Sequence, residues 1–173
     1  MRLVRHHPNP PYQPGPSQGS TAAAGANRLN LLLSHADWQH DQWADRLEPL
    51  LTPMGIQAHR APDARAASRL LDSTPIHLAI VDLSVPLEGS TPLAEAGWKI
   101  LELLASAQAD QAPTLVIRRR RSAREQIQEM NAALRLGAFA VLDRPKEPSD
   151  FELLLEVLRR ALTRHYQGRW PTA

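Results

Sequence analysis

Leu78, Ala79, Ile80 and Val81 run without interruption and then stop at Asp82. A short unbroken apolar run of this kind reads as a strand covered on both faces, which is the signature of a parallel sheet. A parallel sheet needs crossover connections, so this one stretch already demands helices before and after it. The carboxylate falls at the strand's C-terminal end, the edge of an open α/β sheet where ligands and chemistry collect. Whether Asp82 does chemistry depends on the partners the rest of the chain brings to it.

The flanking sequence supplies the required alternation. Leu31 to Leu33, ended by Ser34 and His35, predicts a first strand. Asp37 is positioned to cap a helix through about Leu51, with Trp43, Leu47, Leu50 and Leu51 on one face and Pro49 as an expected break. A second strand is expected over Gly55–Arg60. Asp63 then opens a helix carrying Ala66, Ala67, Leu70 and Leu71. After the central strand comes a loop with Pro86, Gly89 and Pro92, then a third helix marked by Trp98, Ile100, Leu101 and Leu104. Thr114–Ile117 predicts strand four. Ser122–Leu136 predicts helix four, with Ile127, Met130 and Leu134 inward and Gly137 beyond its end. Phe139–Leu142 predicts strand five. Ser149 and Glu152 suggest a capping box for a last helix, whose buried stripe is Phe151, Leu155, Leu158 and Leu162.

Five β–α units in strict alternation imply a doubly wound parallel sheet with helices on both faces. The domain is expected over residues 29–167, preceded by a disordered tail over 1–28 and followed by a frayed end over 168–173. Pro8, Pro10, Pro11, Pro14 and Pro16 crowd the tail, which has no acidic residue and no apolar period. It reads as solvated, with a proline-rich docking segment as the alternative. The absence of cysteine excludes disulfides, thiolate catalysis and Cys-ligated metal sites. No apolar run is long enough for a membrane span or a signal-peptide core, so a cytoplasmic protein is expected. A formal charge of +2 does not by itself argue for nucleic acid.

The order and spacing of these units resemble the receiver domain of bacterial response regulators, a flavodoxin-like (CheY-like) fold with strand order 2-1-3-4-5. Val81-Asp82-Leu83-Ser84-Val85-Pro86 resembles the phosphoacceptor strand and its loop. Gly97-Trp98-Lys99-Ile100-Leu101 resembles the start of the third helix. Leu136-Gly137-Ala138, followed by Asp143-Arg144-Pro145, resembles the glycine-alanine turn and the lysine-proline pair. The resemblance covers roughly Leu29 to His165.

The departures carry the functional reading. The resemblance implies two acidic residues at the end of strand one to hold Mg²⁺. Here those positions are Ser34 and His35, which supply no anionic oxygen. A small hydroxyl residue is implied at the end of strand four, and Arg118 stands there instead. Its planar, permanently charged fork is expected to reach Asp82. Arg144 takes the place of the implied lysine, with a cis bond to Pro145 expected, and Val141 replaces a switch aromatic. Asp82 therefore reads as the remnant of a phosphoacceptor held in a salt bridge.

The expected function is that of a pseudo-receiver: a non-enzymatic signalling module with no metal or cofactor, which binds a protein partner. A homodimer through the face of helix four, strand five and helix five is one form of this. One alternative is a divergent phosphoacceptor modified at Asp82. Another is nucleic-acid binding through Arg118, Arg119, Arg120 and Arg121, joined by Arg124. Ser34, His35 and Asp82 do not form a credible hydrolytic triad, because no nucleophile elbow is present. His40, His59, His77 and His165 are scattered and read as structural.

Overall fold

The computed structural model describes residues 29–35, 43–84, 96–106, 112–119 and 122–167. The expected tails over 1–28 and 168–173, the Asp37 cap, His40 and the loop prolines Pro86 and Pro92 lie outside the described residues. Five strands form one parallel sheet in the order β2-β1-β3-β4-β5. They are β1 (Leu29–Ser34), β2 (Ile56–Ala61), β3 (Leu78–Asp82), β4 (Thr114–Arg118) and β5 (Ala140–Asp143). The helices are α1 (Trp43–Leu51), α2 (Ala64–Ser73), α3 (Ala96–Ser106), α4 (Ala123–Arg135) and α5 (Pro148–Tyr166). The strict alternation and the flavodoxin-like order are both as expected.

Side-chain alternation along the strands divides the core between the two faces. Leu31, Leu33, Leu78, Ile80, Leu115 and Ile117 pack against α1 and α5. Leu32, Ala79 and Val81, one residue out of phase, pack against α2 and α3, and Val116 packs with Leu101 and Ala133. All five residues of β3 are buried, as its unbroken apolar run requires.

Local signals explain most element boundaries. Asp63 accepts from the Ala66 amide at 2.6 Å and starts α2. Ser122 and Glu125 cap α4 reciprocally. The helix closes on Gly137 at φ 88°, with Gly137 N donating to Leu134 O and Ala138 N to Ala133 O. Pro49 does not end α1, which runs on to Leu51 and tightens into a 3-10 turn over Thr52–Met54. The capping box expected at Ser149 and Glu152 lies two residues earlier. Pro148, which lacks an N–H to satisfy, takes the first helical position, and Asp150 accepts from the Lys146 and Glu147 amides.

Helix α4 departs most from expectation. Ile127, Met130 and Leu134 are 56%, 37% and 46% exposed, so the apolar stripe faces solvent. The row turned toward the body is Gln126, Glu129 and Ala133, and every other residue of α4 is exposed. Periodicity establishes that an apolar stripe exists; it does not fix which way the stripe points.

At the opposite edge of the sheet, where the strands begin, Asn30 and His77 clasp β1 to β3. Asn30 N donates to His77 Nδ1 at 2.9 Å, and His77 N donates to Asn30 O at 2.9 Å. Tyr166 adds a hydrogen bond to His77 O at 2.8 Å. Burial lowers the His77 pKa, and Nδ1 must stay unprotonated to accept the strand amide. A histidine whose folded value lies below its unfolded value adds stability above the unfolded value, and that stability is lost as pH falls below it. The urea midpoint is therefore expected to fall as pH drops below about 6.5. His77→Gln should flatten this dependence. An equal slope in both proteins would assign it to the other histidines.

Candidate functional site

The carboxyl edge of the sheet gathers the ends of β1, β3, β4 and β5. Parallel register pairs Ser34 with Val81, Asp82 with Ile117 and Arg118 with Asp143. Asp82 is completely buried. Its Oδ1 accepts from Ser84 N at 2.9 Å and from Ser84 Oγ at 2.6 Å. Its Oδ2 accepts from Arg144 Nη2 at 2.5 Å, and the same nitrogen also donates to Ser84 Oγ. Asp82, Ser84 and Arg144 thus form a closed triangle that occupies both carboxylate oxygens. The side chains of Asp82 and Arg144 are 1% and 8% exposed, so the ion pair sits inside the protein rather than on its rim.

The arginine on Asp82 is Arg144, not Arg118. Arg118 turns the other way. Its Nε donates to Asp143 Oδ1 at 3.0 Å and its Nη1 to Gln126 O at 2.8 Å, linking β4 to β5 and α4. The register explains this choice, because Asp143 is directly opposite Arg118 on the neighbouring strand. Arg144 follows one residue later, with its amide donating to Arg118 O. The Arg144–Pro145 bond is trans; no cis peptide occurs among the described residues. Trans is the preferred state of an X–Pro bond, and the chain enters α5 without reversing it. Pro145 is buried, and Val141 is half-buried opposite Val116.

Ser34 and His35 end β1 as expected, and both are buried. Strand alternation puts Ser34 on the same face as Leu32, away from the face that carries Leu31 and Leu33. Its hydroxyl is buried without a hydrogen-bond partner among the described residues. The His35 ring packs edge-on against Trp43 at 6.2 Å. A hard divalent cation requires several oxygen ligands, preferably anionic. Among the described residues the donor set, a serine hydroxyl, an imidazole and a carboxylate already shared by Ser84 and Arg144, does not suit one. Among the described residues no group of three histidine, aspartate or glutamate side chains is placed to hold a metal ion.

Among its described residues the arginine run is not uniformly exposed. The Arg118 side chain is only 13% exposed and is paired; Arg119 is half-buried, and Arg124 is exposed on α4. Arg120 and Arg121 lie outside the described residues. The sequence places Ser84 only in the loop after the phosphoacceptor strand and assigns it no role at the site. The signal for it was present: a hydroxyl residue two positions after an aspartate is placed to close a local turn onto that carboxylate.

In sequence, the chain matches no protein-family model and no curated protein. In structure it resembles receiver domains. A CheY-like receiver domain protein from Methanospirillum hungatei superposes with a TM-score of 0.62 at 18% identity, over 82% of this chain and 98% of that one. A two-component response regulator from Clostridium difficile gives 0.61 at 18% identity, covering 79% and 98%. A response regulator from Burkholderia pseudomallei, solved with a phosphorylated aspartic acid, a calcium ion and citrate, gives 0.57 at 22%, covering 82% and 73%. The fold is that of the response-regulator receiver domain. No helix among the described residues is long and apolar enough to cross a membrane.

Proposed function

We propose that this chain is a pseudo-receiver: a receiver-fold signalling module that does not use Mg²⁺-dependent phosphorylation of Asp82 and acts by binding a protein partner. The observation that carries the reading is the buried Asp82–Ser84–Arg144 triangle. A guanidinium stands against the carboxylate where phosphoryl transfer would need room for a phosphoryl group and a cation. Ser34 and His35, in the positions of the acidic pair, add no anionic oxygen. Incubation of the full chain with Mg²⁺ and either acetyl phosphate or beryllofluoride is expected to leave its mass and its NMR spectrum unchanged. A one-to-one adduct on Asp82 would overturn the reading and establish the divergent phosphoacceptor instead. Nucleic-acid binding has less support, because Arg118 is committed to Asp143 and Gln126 O.

The partner surface proposed is the face of α4, β5 and α5, and the occupant is a second copy of the chain. The exposed row of Ile127, Met130 and Leu134 supplies apolar area. Arg124, Glu125 and Arg135 around it carry both signs of charge, as a self-complementary two-fold contact needs. Sedimentation at rising concentration is expected to show a dimer that Met130→Asp abolishes. A monomer at all concentrations would point to a different partner protein.

A further inference from the structure

The orientation of α4 runs against the hydrophobic effect. Its polar row, Gln126 and Glu129 with Ala133, faces the body, while Ile127, Met130 and Leu134 face water. The two rows are one residue apart, so a roll of about 100° around the helix axis carries the apolar row to where the polar row now sits and turns the polar row outward. That roll would bury the apolar row, and something must oppose it. Arg118 is a side chain in position to do so. It reaches from the end of β4 to the backbone of α4, donating from Nη1 to Gln126 O at 2.8 Å, while Asp143 on β5 holds its Nε at 3.0 Å. A carbonyl oxygen has two lone pairs, so Gln126 O can take this bond in addition to a helical one.

We infer that Arg118 is a tether that holds α4 rolled outward and so keeps the Ile127–Met130–Leu134 row on display. The guanidinium suits the task because its fork can serve a strand carboxylate and a helix carbonyl at once. Arg118 acts through α4 and is a positioning residue; it touches no ligand. The tether stands independently of the Asp82 reading, and it rests on the proposed function only in making that row the partner surface.

The chain contains no cysteine, so one introduced thiol reports one position. Met130→Cys samples the outward row and Ala133→Cys the buried one. In the otherwise native chain Met130→Cys should react quickly with a disulfide reagent and Ala133→Cys slowly. Arg118→Ala is expected to reverse the order. Loss of hydrogen bonds to a charged group is worth at least about tenfold in the equilibrium between the two orientations, so the ratio of the first thiol's rate to the second's should fall by at least about that factor. Arg118→Lys, which has no fork to serve both partners, should fall between.

Unchanged rates would overturn the tether. So would a rise at both positions in a chain that remains folded, because that means loosening rather than rolling. If Arg118→Ala fails to fold, Asp143→Asn in the same two thiol backgrounds decides the matter: reversal supports the tether, and unchanged rates or a joint rise overturn it. An adduct of beryllofluoride on Asp82 with the thiol reversal intact would sink the pseudo-receiver reading and leave the tether standing.

Discussion

An Arg144→Met variant is expected to lose about 3–5 kcal/mol of folding stability, the cost of leaving one member of a buried ion pair uncompensated. A surface pair would lose no more than about 1 kcal/mol. The larger figure applies because both side chains are almost wholly buried. The double variant Asp82→Asn/Arg144→Met should recover most of the loss. It removes both charges, and the amide oxygen of the new asparagine can still accept from Ser84 N. Urea unfolding of the four proteins of this cycle, with unchanged slopes, measures the coupling directly. A single variant within about 1 kcal/mol of the parent would show that Arg144 does not neutralise Asp82 in solution. The pseudo-receiver reading would then lose its main physical support.

Gly97→Ala is expected to be nearly as damaging, against the local rule. Alanine is the better helix former by about 1 kcal/mol, and Gly97 lies in the first turn of α3. A Cβ at this position would fall 2.5 Å from Asp82 O, 2.5 Å from Leu83 Cα and 2.8 Å from Leu83 C. These are backbone atoms at the end of the central strand, so no side chain can swing aside. Overpacking of this kind costs about 3 kcal/mol, which outweighs the propensity gain. The helix and the strand end must separate, and the turn that carries Ser84 moves with them. Thermal unfolding tests the stability. The Asp82 and Ser84 resonances test whether the triangle is disturbed. A stability gain would mean that α3 does not approach β3 this closely.

The fold was legible because it is written redundantly. Four of the five strands contain short apolar runs, β2 shows only a weak alternation, and Asp63, Ser122 and Gly137 mark helix ends by local chemistry that tertiary packing does not override. The site was legible only in part. The resemblance put two arginines, Arg118 and Arg144, at the sheet edge that Asp82 occupies, and which of them reaches it is settled by a competing acceptor. Asp143 takes Arg118 across the β4–β5 register, a contact 25 residues apart in sequence. The Asp82–Arg144 contact spans 62 residues and emerges only once the strands are in register. The orientation of α4 was illegible for a different reason. A stripe of Ile127, Met130 and Leu134 has the same period whether it faces a core or a partner, and the decision rests with Arg118, a residue outside the helix.

The clasp of Asn30, His77 and Tyr166 has a consequence for how this body can be joined to others. Asn30 is the second residue of β1, and Tyr166 ends α5. Both bond to His77, so the first and last described elements finish side by side at the edge where the strands begin. Asp82 and Arg144 lie at the far edge, where β3 and β5 end. Sequence fused before residue 29 or after residue 167 therefore leaves from one pole, and the buried Asp82–Arg144 pair lies toward the other. A circular permutant that joins these ends by a few residues should keep the Asp82 triangle intact, since the new linker never crosses it.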